Sequence, residues 1–345
     1  MSSVNDAPPG SERLAAVVRR GLHLDDGVPV SLREVGELAN INYVYRVEVP
    51  GRSLYLKVIP ERAKRLPVRL PRERVFSEAE GLRRFRALAG QRVQIPEVLF
   101  VDEDEMALGM SDVGEGRHVL FELLPSGFEL LGEQAEALGR ALAAIHRGTR
   151  GSGSLRPAAE EAVIRRIVFD GLLAPGAMHV FPELWPEVLA EMQAFRECLV
   201  HGDLWSKNLL VRAGEPVAIV DFEGVCYGDP AFDLGTLTAV ALVPALQRPS
   251  LVTEALAFVT RLLESWAASC GSDDWYRAVL PRTFRAAATF VAARGFGPFA
   301  YDLSDPVKQQ VALLGHALAA SRPPDIAGFR DVVLRYVAPA VEART

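Results

Sequence analysis

The sequence predicts an α+β fold of two lobes: a small N-terminal antiparallel sheet with one helix, then a larger, mainly helical C-terminal lobe. Three observations predict it. Short runs of alternating apolar and polar residues fill the first third of the chain. The pattern turns helical after Asp112. A polar loop set between short apolar runs, residues 199–220, then leads into a long helical region. At 345 residues the chain is long enough to bury a sizeable core.

Residues 1–10 are polar, carry Pro8 and Pro9, and read as a flexible tail. A basic start followed by an apolar core is missing there, so no signal peptide is expected. Residues 30–35 form the first strand candidate. Residues 43–49 alternate, Pro50-Gly51 turns the chain, and residues 54–59 return, which reads as a hairpin. Residues 72–88 form a helix with Val75, Phe76, Ala79, Leu82 and Phe85 on one face. Strands follow at 95–101 and 106–110, joined by the acidic turn 102–105. The lobe boundary falls at residues 110–116, giving lobes of 11–112 and 113–345.

In the second lobe, helices are expected at 133–146 and 182–197, with a flexible connector at 148–154 and helices again from Ala231. The longest apolar stretch, residues 234–246, is too short to span a bilayer and reads as a buried helix. No membrane partner is expected. The formal net charge is −6 and the lysines and arginines are scattered, which argues against nucleic acid. Cys198, Cys226 and Cys270 are odd in number and lack metal spacing, so a reducing cytoplasm is the simplest setting. The oligomeric state is left open.

The chemistry lies in His201-Gly202-Asp203-Leu204-Trp205-Ser206-Lys207-Asn208, followed by Leu209-Leu210-Val211. A second apolar run, 217–220, leads into Asp221-Phe222-Glu223. Phosphoryl transfer needs such groups in this order: one carboxylate to take or orient the hydroxyl proton, then a side-chain oxygen and a second carboxylate for magnesium on the ATP phosphates. Asp203 and Asn208 would come from one turn and Asp221 from the next strand. All three are hard oxygen donors of the kind magnesium prefers.

Residues 201–208 resemble the catalytic loop of the aminoglycoside phosphotransferase and choline kinase-like superfamily. Asp229-Pro230 and Phe232-Asp233-Leu234 are similar to its downstream motif. The resemblance implies a protein-kinase-like fold, with a nucleotide-binding first lobe and a catalytic and substrate second lobe. It makes Asp203 the base, Asn208 and Asp221 the Mg2+ ligands, and Asp233 a brace for the catalytic loop. Lys57 resembles the lysine that contacts ATP phosphates. A lysine in an apolar strand needs a partner, and Glu78 is preferred over Glu80. Asn40 and Asn42 fall in the segment 36–42 that would cover the phosphates, and Met110 and Asp112 in the hinge that would meet adenine. Trp205, Glu223 and Arg294 are assigned to the substrate.

The nearest branch resembles the 5-methylthioribose kinases, on residues 40–45, 105–112 and Arg294-Gly295. The chain departs from that branch at Asn208, where it usually has serine, and at Asp221-Phe222-Glu223, where it usually has Asp-Pro-Glu. The expected enzyme is an ATP-dependent small-molecule kinase whose acceptor is a sugar or methylthioribose-like polyol. The alternatives are an aminoglycoside phosphotransferase and, behind it, a pseudokinase. A protein kinase is disfavoured because Trp205 stands where those enzymes place a lysine, and because little chain separates Asp221 from Asp229. The segment 277–294 holds Arg277, Arg282, Arg285 and Arg294 with no acid, which would repel a polycationic acceptor.

Overall fold

A computed structural model describes residues 10–35, 40–124, 127–151, 153, 155, 159, 162–271 and 273–337. Most of the predicted tail, and the segment 36–39 of the predicted phosphate-covering loop, lie outside the described residues.

The first lobe is a five-stranded antiparallel sheet in the order β1-β2-β3-β5-β4. Its strands are β1 (Ser31–Glu34), β2 (Tyr43–Val49), β3 (Arg52–Val58), β4 (Val98–Asp102) and β5 (Ala107–Ser111). The two-residue periodicity of β3 decides what each face does. Leu54, Leu56 and Val58 join Leu14, Val17 and Val18 in one apolar cluster. Lys57 points the other way, toward helix α2 (Arg74–Ala89), whose Val75, Ala79, Leu82 and Phe85 enter the main core.

The helix holding Leu14, α1 (Ser11–Leu22), corrects the sequence reading, which left residues 11–29 without an element. Its signal was present: Leu14, Val17 and Val18 follow helical spacing, and all are buried. The acidic turn between β4 and β5 is its dock. Arg20 donates to Asp102, with 3.0 Å from Nε, and Arg13 Nε donates to Glu105 at 2.5 Å.

The second lobe begins after residues 112–117 with β6 (His118–Val119), α3 (Leu120–Leu123) and α4 (Glu129–Gly148). A π-helical segment, Ile164–Leu173, leads into α5 (Ala174–Val180) and then α6 (Trp185–Ala194). Strands β7 (Cys198–Val200), β8 (Leu209–Val211), β9 (Ala218–Ile219) and β10 (Cys226–Gly228) carry the polar loops. They pair as β10-β7 and β6-β8-β9. Helices α7 (Pro230–Gln247), α8 (Val252–Cys270), α9 (Asp273–Phe296), α10 (Asp305–Ser321) and α11 (Ile326–Val337) complete the lobe. Among the described residues α7 is the one helix long and apolar enough to cross a membrane, and it is 94% buried inside the protein.

Candidate active site

Strand pairing brings the motif residues together. In the β8–β9 hairpin, Leu209 stands opposite Ile219, so Asn208 before β8 and Asp221 after β9 meet at one end. Val220 N–H donates to Asn208 O at 3.0 Å and closes that end. Gly202 has φ 78°, and a Cβ there would lie 2.2 Å from Gly224 O. Only glycine lets the Asp203 loop rest on the turn that follows Asp221. Asp221 itself sits in the left-handed region at φ 64°, which an aspartate tolerates better than most residues, and its carboxylate turns into the cleft.

Asp233 holds this loop from the first turn of α7. Its two oxygens accept from His201 N–H at 2.9 Å and Gly202 N–H at 3.0 Å. His146 lies 3.3 Å from Asp233 on its other side, and Trp266 Nε1 donates to His146 Nδ1 at 3.1 Å. His146 is therefore a buried packing residue behind the site. The His201 ring is within 3.2 Å of Asp203 N–H through Nδ1 and within 3.2 Å of Val220 O through Nε2. With Nδ1 accepting and Nε2 donating, both bonds suit the neutral ring, and burial lowers the His201 pKa accordingly.

Lys57, Asp203, Asn208, Asp221 and Glu223 all line one cleft of about 540 Å3, with Asn40, Asn42, Trp205 and Arg294. Lys57 Nζ donates to Glu78 Oε1 at 2.7 Å and to Asp221 Oδ1 at 2.5 Å. Glu78 is its partner on α2, whereas Glu80 faces outward and pairs with Arg84 at 2.7 Å. Gly81 lets α2 come close: a Cβ there would lie 2.6 Å from Val225, just past the Phe222–Gly224 turn. Asn208 Nδ2 donates to Asp203 Oδ2 at 2.8 Å, which leaves the Asn208 amide oxygen as an acceptor.

Of the other assigned residues, Asn42 and Glu223 line the same cleft, and Met110 and Asp112 do not. Asn42 is held between Arg74, which donates to its Oδ1 at 2.9 Å, and Glu223, which accepts from its Nδ2. Glu223, assigned to substrate from the sequence, instead lies at the Lys57 end, 3.6 Å from Nζ. Met110 lies on β5 opposite Tyr55, while Asp112 accepts from Ser53 Oγ at 3.0 Å and Gly114 N–H at 2.8 Å, bracing the connection between lobes. The basic acceptor wall expected at 277–294 is largely absent. Arg282 is bound to Asp229 and Glu197, and Arg285 to Glu187 and Glu191. Arg294 is the one arginine of that segment lining the cleft.

Residues without an assigned role complete the far end: Phe121, Lys207, Tyr301 and the π-helical Val168 and Leu172. Lys207 stood in the motif and was legible there. The others come from segments far apart in sequence and carry no local signal.

Burial, and then the crowding of carboxylates, sets the proton affinities. Burial, then the neighbouring Asp221, raise the Asp203 pKa to about 7. Burial and Asp221 likewise raise Glu223, to about 8. If Asp203 acts as a base it must be ionised, so kcat/KM should fall as the pH drops below about 7. A pH–rate profile with constant kcat/KM from pH 5 to about 8 would contradict that role.

The sequence model of the phosphotransferase enzyme family matches residues 37–278, well over half of the chain, so this chain belongs to that family. No curated protein sequence matches it. The fold is similar to that of a microcompartment-associated aminopropanol kinase: TM-score 0.51 at 16% identity, covering 95% of this chain and 98% of that one. A choline/ethanolamine kinase family protein from Mesorhizobium loti covers 93% of this chain and 99% of its own at 19% identity, with TM-score 0.45. Spectinomycin phosphotransferase APH(9)-Ia, in complex with ADP and spectinomycin, covers 96% of this chain and 95% of its own at 14% identity, with TM-score 0.48.

Proposed function

We propose that this phosphotransferase moves the γ-phosphate of ATP to a hydroxyl of a small, sugar-like polyol of the methylthioribose kind, in the cytoplasm. The observation that carries the reading is the meeting of Lys57, Asp203, Asn208 and Asp221 around one cleft. The acceptor oxygen would bond to the γ-phosphorus as its bond to the β–γ bridging oxygen breaks. Asp203 takes the hydroxyl proton and ADP leaves. Lys57, fixed between Glu78 and Asp221, is positioned to hold the phosphates.

The donor set fits Mg2+. Asp221 offers a carboxylate with 39% of its side chain exposed, and Asn208 an amide oxygen. Among the described residues no group of three or more His, Cys, Asp or Glu is arranged to hold a metal alone. Magnesium commonly binds one or two protein oxygens plus the nucleotide phosphates, and Asp221 and Asn208 are the two that this cleft offers. Bound there, it would neutralise charge on those phosphates.

The test is a screen of pentoses, 5-methylthioribose, other polyols and aminoglycosides with coupled ADP detection. Efficient turnover of aminoglycosides alone would overturn the polyol reading. A finer check concerns the phosphate anchor. Lys57→Ala should raise the KM for ATP and lower turnover by roughly tenfold or more. Glu78→Gln should give a milder form of the same defect. Glu80→Gln should leave both constants near normal, because its partner is Arg84 on the outer face of α2. A larger defect from Glu80→Gln than from Glu78→Gln would break the assignment.

A further inference from the structure

We propose that the acceptor is an acid: a hydroxyl compound carrying a carboxylate or phosphate, which Arg294 and Lys207 bind beside Trp205. This rests on the phosphotransfer reading but departs from a methylthioribose-like acceptor, which carries no charge.

The case starts from a buried charge without an ion-pair partner: the carboxylate that Arg294 feels is Asp203, the proposed base, which lies beyond ion-pair range. Arg294 lies in the last turn of α9, is only 5% exposed, and lines the cleft. Among the described residues its guanidinium has no carboxylate within ion-pair distance. Its side-chain hydrogen bond there is a long one, 3.5 Å to Phe299 O. The contrast within α9 is direct, since Arg282 and Arg285 each hold two carboxylates. A buried cation is costly unless paired. The C-terminal end of a helix offsets part of that cost, and a ring face offsets another part: the guanidinium carbon is 3.8 Å from the Trp205 centroid. Neither supplies a formal negative charge.

A second cation faces the same place. Lys207 Nζ stands 5.0 Å from the ring centroids of both Trp205 and Phe121. It too has no carboxylate in ion-pair range among the described residues. Two carboxylates do line this end, Glu122 and Asp302, but both are exposed. Water screens them, whereas the charge on Arg294 is felt at short range in a drier medium. The buried cation therefore governs which charge the end accepts.

The chain builds this position deliberately. After α9, Tyr301 N–H donates to Arg294 O at 2.8 Å and Ala300 N–H to Gly297 O at 3.1 Å, folding the chain back over the arginine. A Cβ on Gly297 would lie 2.5 Å from Ala293 O, so only glycine allows the fold-back. Tyr301 then packs on Phe121 at 5.3 Å and approaches Ser206 Oγ at 3.4 Å. This aromatic wall lines the same cleft as Arg294, Lys207 and Asp203. A planar guanidinium suits a carboxylate or phosphate through paired N–H bonds, and the ammonium adds a point charge.

The test uses the full chain with Mg-ATP and matched acceptors: ribose against ribonate and ribose 5-phosphate, and glycerol against glycerate and glycerol 3-phosphate. Turnover is followed by ADP release, and acceptor affinity by competition. The acids should bind at least about tenfold better than their neutral parents, the usual scale for a charge-assisted contact. The carboxylates and phosphates separate the two sources of charge. In Arg294→Ala the ratio of acid to neutral efficiency should collapse toward one, Arg294→Lys should restore part of it, and Lys207→Gln should lower it less. No preference for any acid over its neutral parent overturns the proposal while leaving the kinase reading intact. Absence of Mg-ATP binding would instead sink the kinase reading. A rise in the KM for ATP without loss of acid preference in Arg294→Ala would give the arginine to the donor phosphates and also overturn the proposal.

Discussion

Asp203→Asn is expected to lower turnover by about two orders of magnitude or more, the scale of losing a general base. The asparagine keeps the shape and the contact with Asn208 but removes the group that takes the proton. Nucleotide affinity should change little, since Lys57 and Asp221 remain in place. Stability should hold or rise. Burial lifts the Asp203 pKa above its ordinary range, so the folded state disfavours the charged form. The unfolded chain then loses its proton first as the pH rises, and the penalty builds between about pH 4 and about 7. Above that window the asparagine variant escapes it. Steady-state kinetics and thermal melts at pH 8 check both halves. Near-normal turnover in a folded variant would remove Asp203 from the chemistry.

The sheet and the loop 201–208 were legible because their signals are local. Strand β2 matches the expected bounds, since Tyr43 to Val49 alternates without interruption and Pro50-Gly51 marks the turn. Asp203, Asn208 and Asp221 come together as the motif's spacing suggests, because hairpin pairing is itself short range. What failed depended on distant contacts. Charge counting along 277–294 gave a basic surface, but Glu187, Glu191, Glu197 and Asp229 neutralise Arg282 and Arg285 from three other segments. Glu223 sits two residues after Asp221, close enough to be assigned to the site but not to tell its end. Asn42 placed it beside Lys57. The far wall joins Phe121, Leu172 and Tyr301, which only the folded chain brings together.

Asp221→Asn is expected to weaken Mg-dependent nucleotide binding and to cut turnover by on the order of a hundredfold, the scale of removing one preorganised charged contact from a transition state. Asparagine is the informative change, because φ 64° suits asparagine and would strain alanine. The fold should survive, since Lys57 keeps Glu78 at 2.7 Å and Glu223 at 3.6 Å. Two effects then oppose each other. Loss of the carboxylate removes a hard ligand, which weakens the metal site. It also removes the Asp221 charge that helps raise the Asp203 pKa, so the base ionises more readily. The first should dominate the rate and the second the pH dependence. Residual turnover should show its acidic limb below the wild-type position near pH 7. Titrating a fluorescent ATP analogue with and without Mg2+ measures the first effect, and a pH–rate profile of the variant measures the second. Unchanged Mg2+ dependence of nucleotide affinity would show that Asp221 is no ligand. An acidic limb that stays near pH 7 would mean that burial alone sets the Asp203 proton affinity.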